Sequence, residues 1–157
     1  SSLSKSHAMT GWRLGWAVGP AEAIRHMGNL SAGMSFGLAP FIQDAATQAL
    51  TGSLGEVDTM RTLYKARRDL VYEHLQDAPK VSCHLPEGGM YMMLDIRDTG
   101  MDALSFAERL LENEKVALLP GEAFGPGGAG HVRLSLVETE DVLIEACERT
   151  ARFAQTV

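Results

Sequence analysis

The chain has 157 residues, 45% of them hydrophobic and 22% charged, a composition that supports a medium-sized core, or part of a larger protein, and excludes a disordered chain. With 14 basic against 20 acidic side chains the net charge is −6, the wrong sign for gripping phosphate backbones, so nucleic acid is not an expected partner. Apolar runs such as 116–119 and 90–94 fall far short of the roughly 20 residues of a membrane helix, and no membrane partner is expected.

In chain order, the alternation of Leu14, Trp16 and Val18 with Arg13, Gly15 and Ala17 predicts a strand over 12–18, ended by Gly19 and Pro20. Pro20 then opens a short helix through about Met27, stopped by Gly28 and Asn29, and GMSFGLAP follows as loop. A second helix is predicted from Pro40 to about Leu50, closed by Thr51 and Gly52. The spacing of Val57, Met60, Leu63, Tyr64, Leu70, Val71, His74 and Leu75 predicts a long amphipathic helix ending before Pro79.

Beyond Pro79 the pattern becomes strand, helix, strand, strand, helix. Strands are expected over 81–85 and 90–96 around PEGG, with a helical stripe of Ala103, Phe106, Ala107, Leu110 and Leu111. A short strand over 116–119 and an alternating one over 131–136 follow. The closing helix, from Thr139, is expected to bury Val142, Leu143, Ala146, Cys147 and Phe153. Residues 79–157 thus read as a small α+β domain, whereas 1–50 offer one strand and two helices with no sheet to join.

The only cysteines are Cys83 and Cys147, with no CxxC and no nearby His pair. This argues against a metal site or a disulfide framework and fits a reducing, cytoplasmic location. The opening SSLSK carries no leader pattern and reads as the middle of a longer chain. Three other patterns are set aside. Gly125, Gly127 and Gly130 satisfy GxGxxG, but a strand rather than a helix follows them. Ser6 and His7 are adjacent, a spacing at which side chains rarely share the hydrogen bond a nucleophile and base require. Met90, Met92 and Met93 read as packing rather than as a soft metal site.

The informative segment is SSLSKSHAMTGWRLGWAVGP: a lysine among small hydroxyl residues, with an arginine eight positions later. A lysine with an available amine suits Schiff-base chemistry with the aldehyde of pyridoxal 5'-phosphate, while hydroxyls and a guanidinium suit that cofactor's phosphate. In the 131–136 strand, Arg133 and Ser135 point away from the face formed by Val132, Leu134 and Leu136, toward a cleft or solvent.

SLSKSHAMTGWRLGW, together with Arg67, Arg68 and Asp69, PEGGMY and LLPGEAFGPGGAGHVRLSL, closely resembles the class I and II aminotransferases, the fold type I pyridoxal-phosphate enzymes of the aspartate aminotransferase superfamily. The resemblance covers essentially the whole chain. It implies that Lys5 carries the cofactor and shuttles the proton, that Ser2 and Arg13 bind the phosphate with Ser4 a weaker candidate, and that Arg133 grips the substrate α-carboxylate. It also implies an α/β parent, divided here into a large-domain remnant (1–55), a long interdomain helix (56–78) and an α+β small domain (79–157).

On this reading the parent is a homodimer that moves an amino group between an amino acid and a 2-oxo acid, and the chain is its C-terminal portion, inactive alone. Two alternatives share the motif: the aminotransferase-like effector domain of a transcription regulator, and another fold type I enzyme such as a lyase, decarboxylase or synthase.

Overall fold

The computed structural model describes residues 1–157, which form two compact units, 1–60 and 61–157. The first holds a one-turn helix α1 (Leu3–Ser6), a 3-10 turn (Thr10–Trp12), α2 (Ala21–Ser35), α3 (Pro40–Thr51) and the first residues of α4 (Gly55–Leu75). The strand expected over 12–18 does not form. In its place the chain makes a single antiparallel bridge between Ser2 and Gly15, and Trp16 and Val18 are 43% and 92% exposed. Alternation describes where side chains would point, but a strand also needs a neighbouring ladder, and one bridge is all this unit provides.

Helix α2 runs past Gly28 and Asn29 to Ser35 and so takes in the start of the expected loop. An interior glycine costs a helix only about 1 kcal/mol, too little to stop it. The stop comes at Phe36, which adopts a left-handed conformation (φ 56°). Helix α3 begins with Pro at its first turn and ends at Gly52, as its sequence predicts.

The second unit is an antiparallel sheet with helices against it. Strands β1 (Ser82–Cys83), β2 (Tyr91–Asp95), β3 (Leu119–Pro120) and β4 (His131–Ser135) lie in the order β1-β2-β4-β3. The expected strand over 116–119 is displaced to 119–120, because pairing with Arg133 and Val132, rather than its own apolar run, fixes β3. Helices α5 (Ala103–Glu114) and α6 (Glu140–Gln155) complete the unit. Asp102 caps α5 by accepting the Ser105 N–H at 2.9 Å.

One face of the sheet, Met92, Leu94, Val132 and Leu134, is buried with Phe106, Leu110, Leu143, Cys147 and Phe153 of the helices and Val71 and Leu75 of α4. Phe106 and Phe153 meet edge to face at 5.2 Å. Leu111 and Val142, expected inside, are 49% and 42% exposed: each sits at the margin of its helical stripe. No helix is long and apolar enough to cross a membrane.

Candidate functional site

Each group of candidate residues sits within its own unit. In the first, α1 presents Ser4 half-buried and Lys5 exposed, above a buried Leu3. The Ser2–Gly15 bridge draws the start of this segment against the stretch that carries Arg13. The Trp16 N–H donates to the Ser1 carbonyl at 2.8 Å and the Leu3 N–H to the Leu14 carbonyl at 3.3 Å. Gly15 is what allows the approach, since a Cβ there would lie 2.7 Å from the Ser1 carbonyl oxygen.

Ser2 occupies the N-cap of α1, the position where serine normally accepts a backbone N–H, yet its side chain makes no capping bond. Arg13 lies in the left-handed region (φ 50°, ψ 46°) and spends one donor, on the Thr10 carbonyl at 2.8 Å. A non-glycine residue held there costs about 1–3 kcal/mol, a strain that concentrates at functional sites. The segment therefore gathers an exposed amine, an uncommitted hydroxyl and a guanidinium with donors to spare.

Ser6 and His7 do share a hydrogen bond, Oγ to Nδ1 at 2.9 Å, contrary to the sequence expectation. Ser6 ends α1, where its hydroxyl also donates to the Ser2 carbonyl at 3.3 Å. The imidazole tautomer sets which of the two donates, and His7 Nε2 is buried without a partner, so no acid orients the ring as an activating base requires.

In the second unit, Arg133 lies on the open face of β4, alternating with the buried Val132 and Leu134. Its Cζ stands 4.0 Å from the ring centroid of Tyr91 and 4.0 Å from that of Phe124. The acidic neighbour on that face, Asp95, is engaged by Arg97, whose Nε donates to both carboxylate oxygens at 2.9 and 3.1 Å. This hydrogen bonding holds the Asp95 carboxyl down to about 2, well below the ordinary carboxylate range. His131 Nε2 is 4.0 Å from the same carboxylate. Arg133 forms no ion pair with Glu138 or Asp95.

The other motif arginines are committed to the frame. Arg67 donates to the carbonyls of Leu136 and Val137 at 3.1 and 3.0 Å, fastening α4 to the end of β4. Arg68 donates to the Pro86 carbonyl at 2.8 Å and forks onto Asp69. Gly125 joins two 3-10 segments, Gly121–Phe124 and Pro126–Gly128, and the glycine run continues through Gly130 into β4.

Residues 1–149 match the family model for aminotransferase class I and II. The chain belongs to that family. It is 54% identical over 154 residues to the arginine–pyruvate transaminase of Pseudomonas aeruginosa, covering 98% of this chain and 39% of that protein. The aromatic aminotransferase structure from Pyrococcus horikoshii matches 99% of this chain and 42% of its own at a TM-score of 0.92 and 37% identity. An aspartate aminotransferase of Thermus thermophilus solved with maleate matches 94% and 38%, at 0.85 and 38% identity. The fold is thus part of the α/β fold of these aminotransferases, and the chain spans about two fifths of the length of the relatives it matches.

This family uses pyridoxal phosphate, and the residues present fit such a group. Ser2 leaves its hydroxyl uncommitted although it stands at a helix cap, and Arg13, on the stretch bridged to it, keeps donors free. Sequence reasoning assigned no role to Tyr91 or Phe124. Their relation to Arg133 depends on strand register and loop closure, which leave no periodic signal.

Proposed function

We propose that this chain is the lysine- and arginine-bearing part of a pyridoxal 5'-phosphate-dependent aminotransferase, a homodimer that transfers an amino group from an amino acid to a 2-oxo acid. The observation that carries the proposal is the Lys5 segment: a free amine, tied through the Ser2–Gly15 bridge to the stretch bearing Arg13, in a chain that belongs to the aminotransferase family.

Ser2 and Arg13 hold the phosphate, with Ser4 at its margin, and Arg contributes a fork that matches phosphate oxygens two at a time. When bound, the cofactor supplies the aldehyde that takes up the amino group and a ring that accepts electron density from the substrate. Lys5 Nζ holds the cofactor at rest and then moves the proton at the substrate α-carbon. Arg133 fixes the α-carboxylate through its paired donors, which orient the substrate as well as hold it. Residues 1–55 belong to the large domain of the whole enzyme, 56–78 to the helix joining the domains and 79–157 to the small domain. Arginine with pyruvate is the first pair to assay, because the 54%-identical relative carries that name.

The test uses the full-length protein carrying this segment. Borohydride reduction of the holoenzyme is expected to fix the cofactor on the peptide containing Lys5, and Lys5→Ala to abolish transamination. Labelling of Lys65, Lys80 or Lys115 instead would overturn the assignment.

A further inference from the structure

We propose that Tyr91 and Phe124 are positioning residues that hold the Arg133 guanidinium between their ring faces and leave its edge to the substrate carboxylate. This rests on the reading of Arg133 as the carboxylate anchor.

Three features of the fold converge on the arrangement. The first is register. In the β2–β4 pair Tyr91 stands opposite Ser135 and Met93 opposite Arg133, so Tyr91 is the diagonal neighbour of Arg133 on the same open face. Diagonal neighbours lie within reach of aromatic and long side chains. On its other side Arg133 faces Leu119 of β3, so both cross-strand partners are apolar and neither supplies a counter-ion.

The second feature is the loop that delivers Phe124. A Cβ on Gly121 would lie 2.1 Å from the Gly128 carbonyl oxygen and 2.7 Å from that of His131, and one on Gly128 would lie 2.1 Å from the Gly121 carbonyl oxygen. The loop is closed backbone against backbone, which only glycine permits at both positions. That closure seats the Gly121–Phe124 turn beside β4 and puts the Phe124 ring 4.0 Å from Cζ. Phe124 is nevertheless 53% exposed, so it contributes little to the core, and its cation contact needs a reason other than burial.

The third feature is the absence of competition. Arg97 keeps both oxygens of Asp95 occupied. The guanidinium carbon stands over both rings, 4.0 Å from each centroid, and the two rings do not stack on each other. A guanidinium carries all five N–H donors in its plane. Rings over its faces therefore remove rotational freedom without consuming a donor, and the planar edge stays open to a planar carboxylate. Preorganisation of this kind strengthens binding by lowering what must be ordered when the ligand arrives.

The experiment is a double-mutant cycle in the full-length holoenzyme: Phe124→Leu and Tyr91→Leu, each in the wild-type and Arg133→Lys backgrounds, with Tyr91→Phe as the ring-preserving control. Each ring deletion is expected to raise KM roughly three- to tenfold for every amino acid and 2-oxo acid tested, with kcat within about twofold. Tyr91→Phe should restore the wild-type KM, since a phenyl face suffices. An ammonium has no plane to clamp, so in the Arg133→Lys background the same deletions should change KM by less than about twofold. Full effects in both backgrounds, or none in wild type while Arg133→Lys raises KM, would overturn the clamp. An Arg133→Lys variant with unchanged KM would overturn the carboxylate reading itself.

Discussion

Replacing Gly15 with alanine tests whether the Ser2–Gly15 bridge is what makes the first unit a cofactor site. The added Cβ would lie 2.7 Å from the Ser1 carbonyl oxygen and 3.0 Å from Ser2 Cβ, and both neighbours are stiff. To restore ordinary contact the 1–2 segment must retreat by about 0.7 Å. At that displacement the Leu3–Leu14 hydrogen bond, now 3.3 Å, falls outside bonding range, and the Trp16–Ser1 bond, now 2.8 Å, stretches to its edge. Each is worth about 0.5–1.5 kcal/mol, so one lost and one weakened remove about 1–2 kcal/mol of local order. If pyridoxal phosphate requires the closed bridge to reach both Ser2 and Arg13, its Kd rises about 5- to 30-fold.

The assay is titration of the apo full-length protein with pyridoxal phosphate, followed by cofactor absorbance. Gly11→Ala is the control. It lies in the same segment with nothing within 4 Å of its added Cβ, so its Kd should stay within about twofold of wild type. Equal affinities for the two variants, with far-UV circular dichroism unchanged, would refute the reasoning.

Phe106→Ala removes a fully buried ring that meets Phe153 edge to face; it should destabilise the second unit by about 3–5 kcal/mol in urea unfolding. Cys147 is 1% exposed and burial pushes its thiol up to about 12. A maleimide at pH 8 should therefore modify the half-buried Cys83 first, and equal rates in the folded protein would contradict the packing. Asp95, held down to about 2 by Arg97, stabilises the folded state fully above the ordinary carboxylate range. That contribution fades as pH falls toward 2. The stability difference between wild type and Asp95→Asn should therefore shrink from pH 6 to pH 2.5, and a constant difference would show that the pair contributes no linked stability.

The parts of this fold that could be read from the sequence are those in which one element's own periodicity decides its fate. Helices α3 to α6 carry their apolar stripes within themselves, and the outward direction of Arg133 follows from simple alternation. What escaped the sequence depends on partners. Residues 12–18 have strand-like alternation but find only the Ser2–Gly15 bridge. The bounds of β1 and β3 are set by β2 and β4 rather than by their own residues. The end of α2 rests on a left-handed Phe36, a conformation no propensity marks. Tyr91 and Phe124 stood in quoted motifs, yet their meaning needed the register of one pair of strands and the closure of Gly121 on Gly128.

How the polar groups are partnered separates the proposed binding residues from the framework. Arg67 directs its donors at the Leu136 and Val137 carbonyls, which holds α4 to the end of β4, and Arg68 divides its donors between the Pro86 carbonyl and its neighbour Asp69. Arg133 keeps its donors, and Ser2 keeps its hydroxyl at a position where serine ordinarily caps. A polar group left unpaired in a dry core costs about 1–3 kcal/mol, and Ser2 and Arg133 are half-buried rather than sealed. Replacing Arg67 should therefore show in the melting temperature and hardly in KM for a carboxylate, while replacing Arg133 should do the opposite; a matched loss of both quantities in both variants would mean that partnering does not distinguish the two roles.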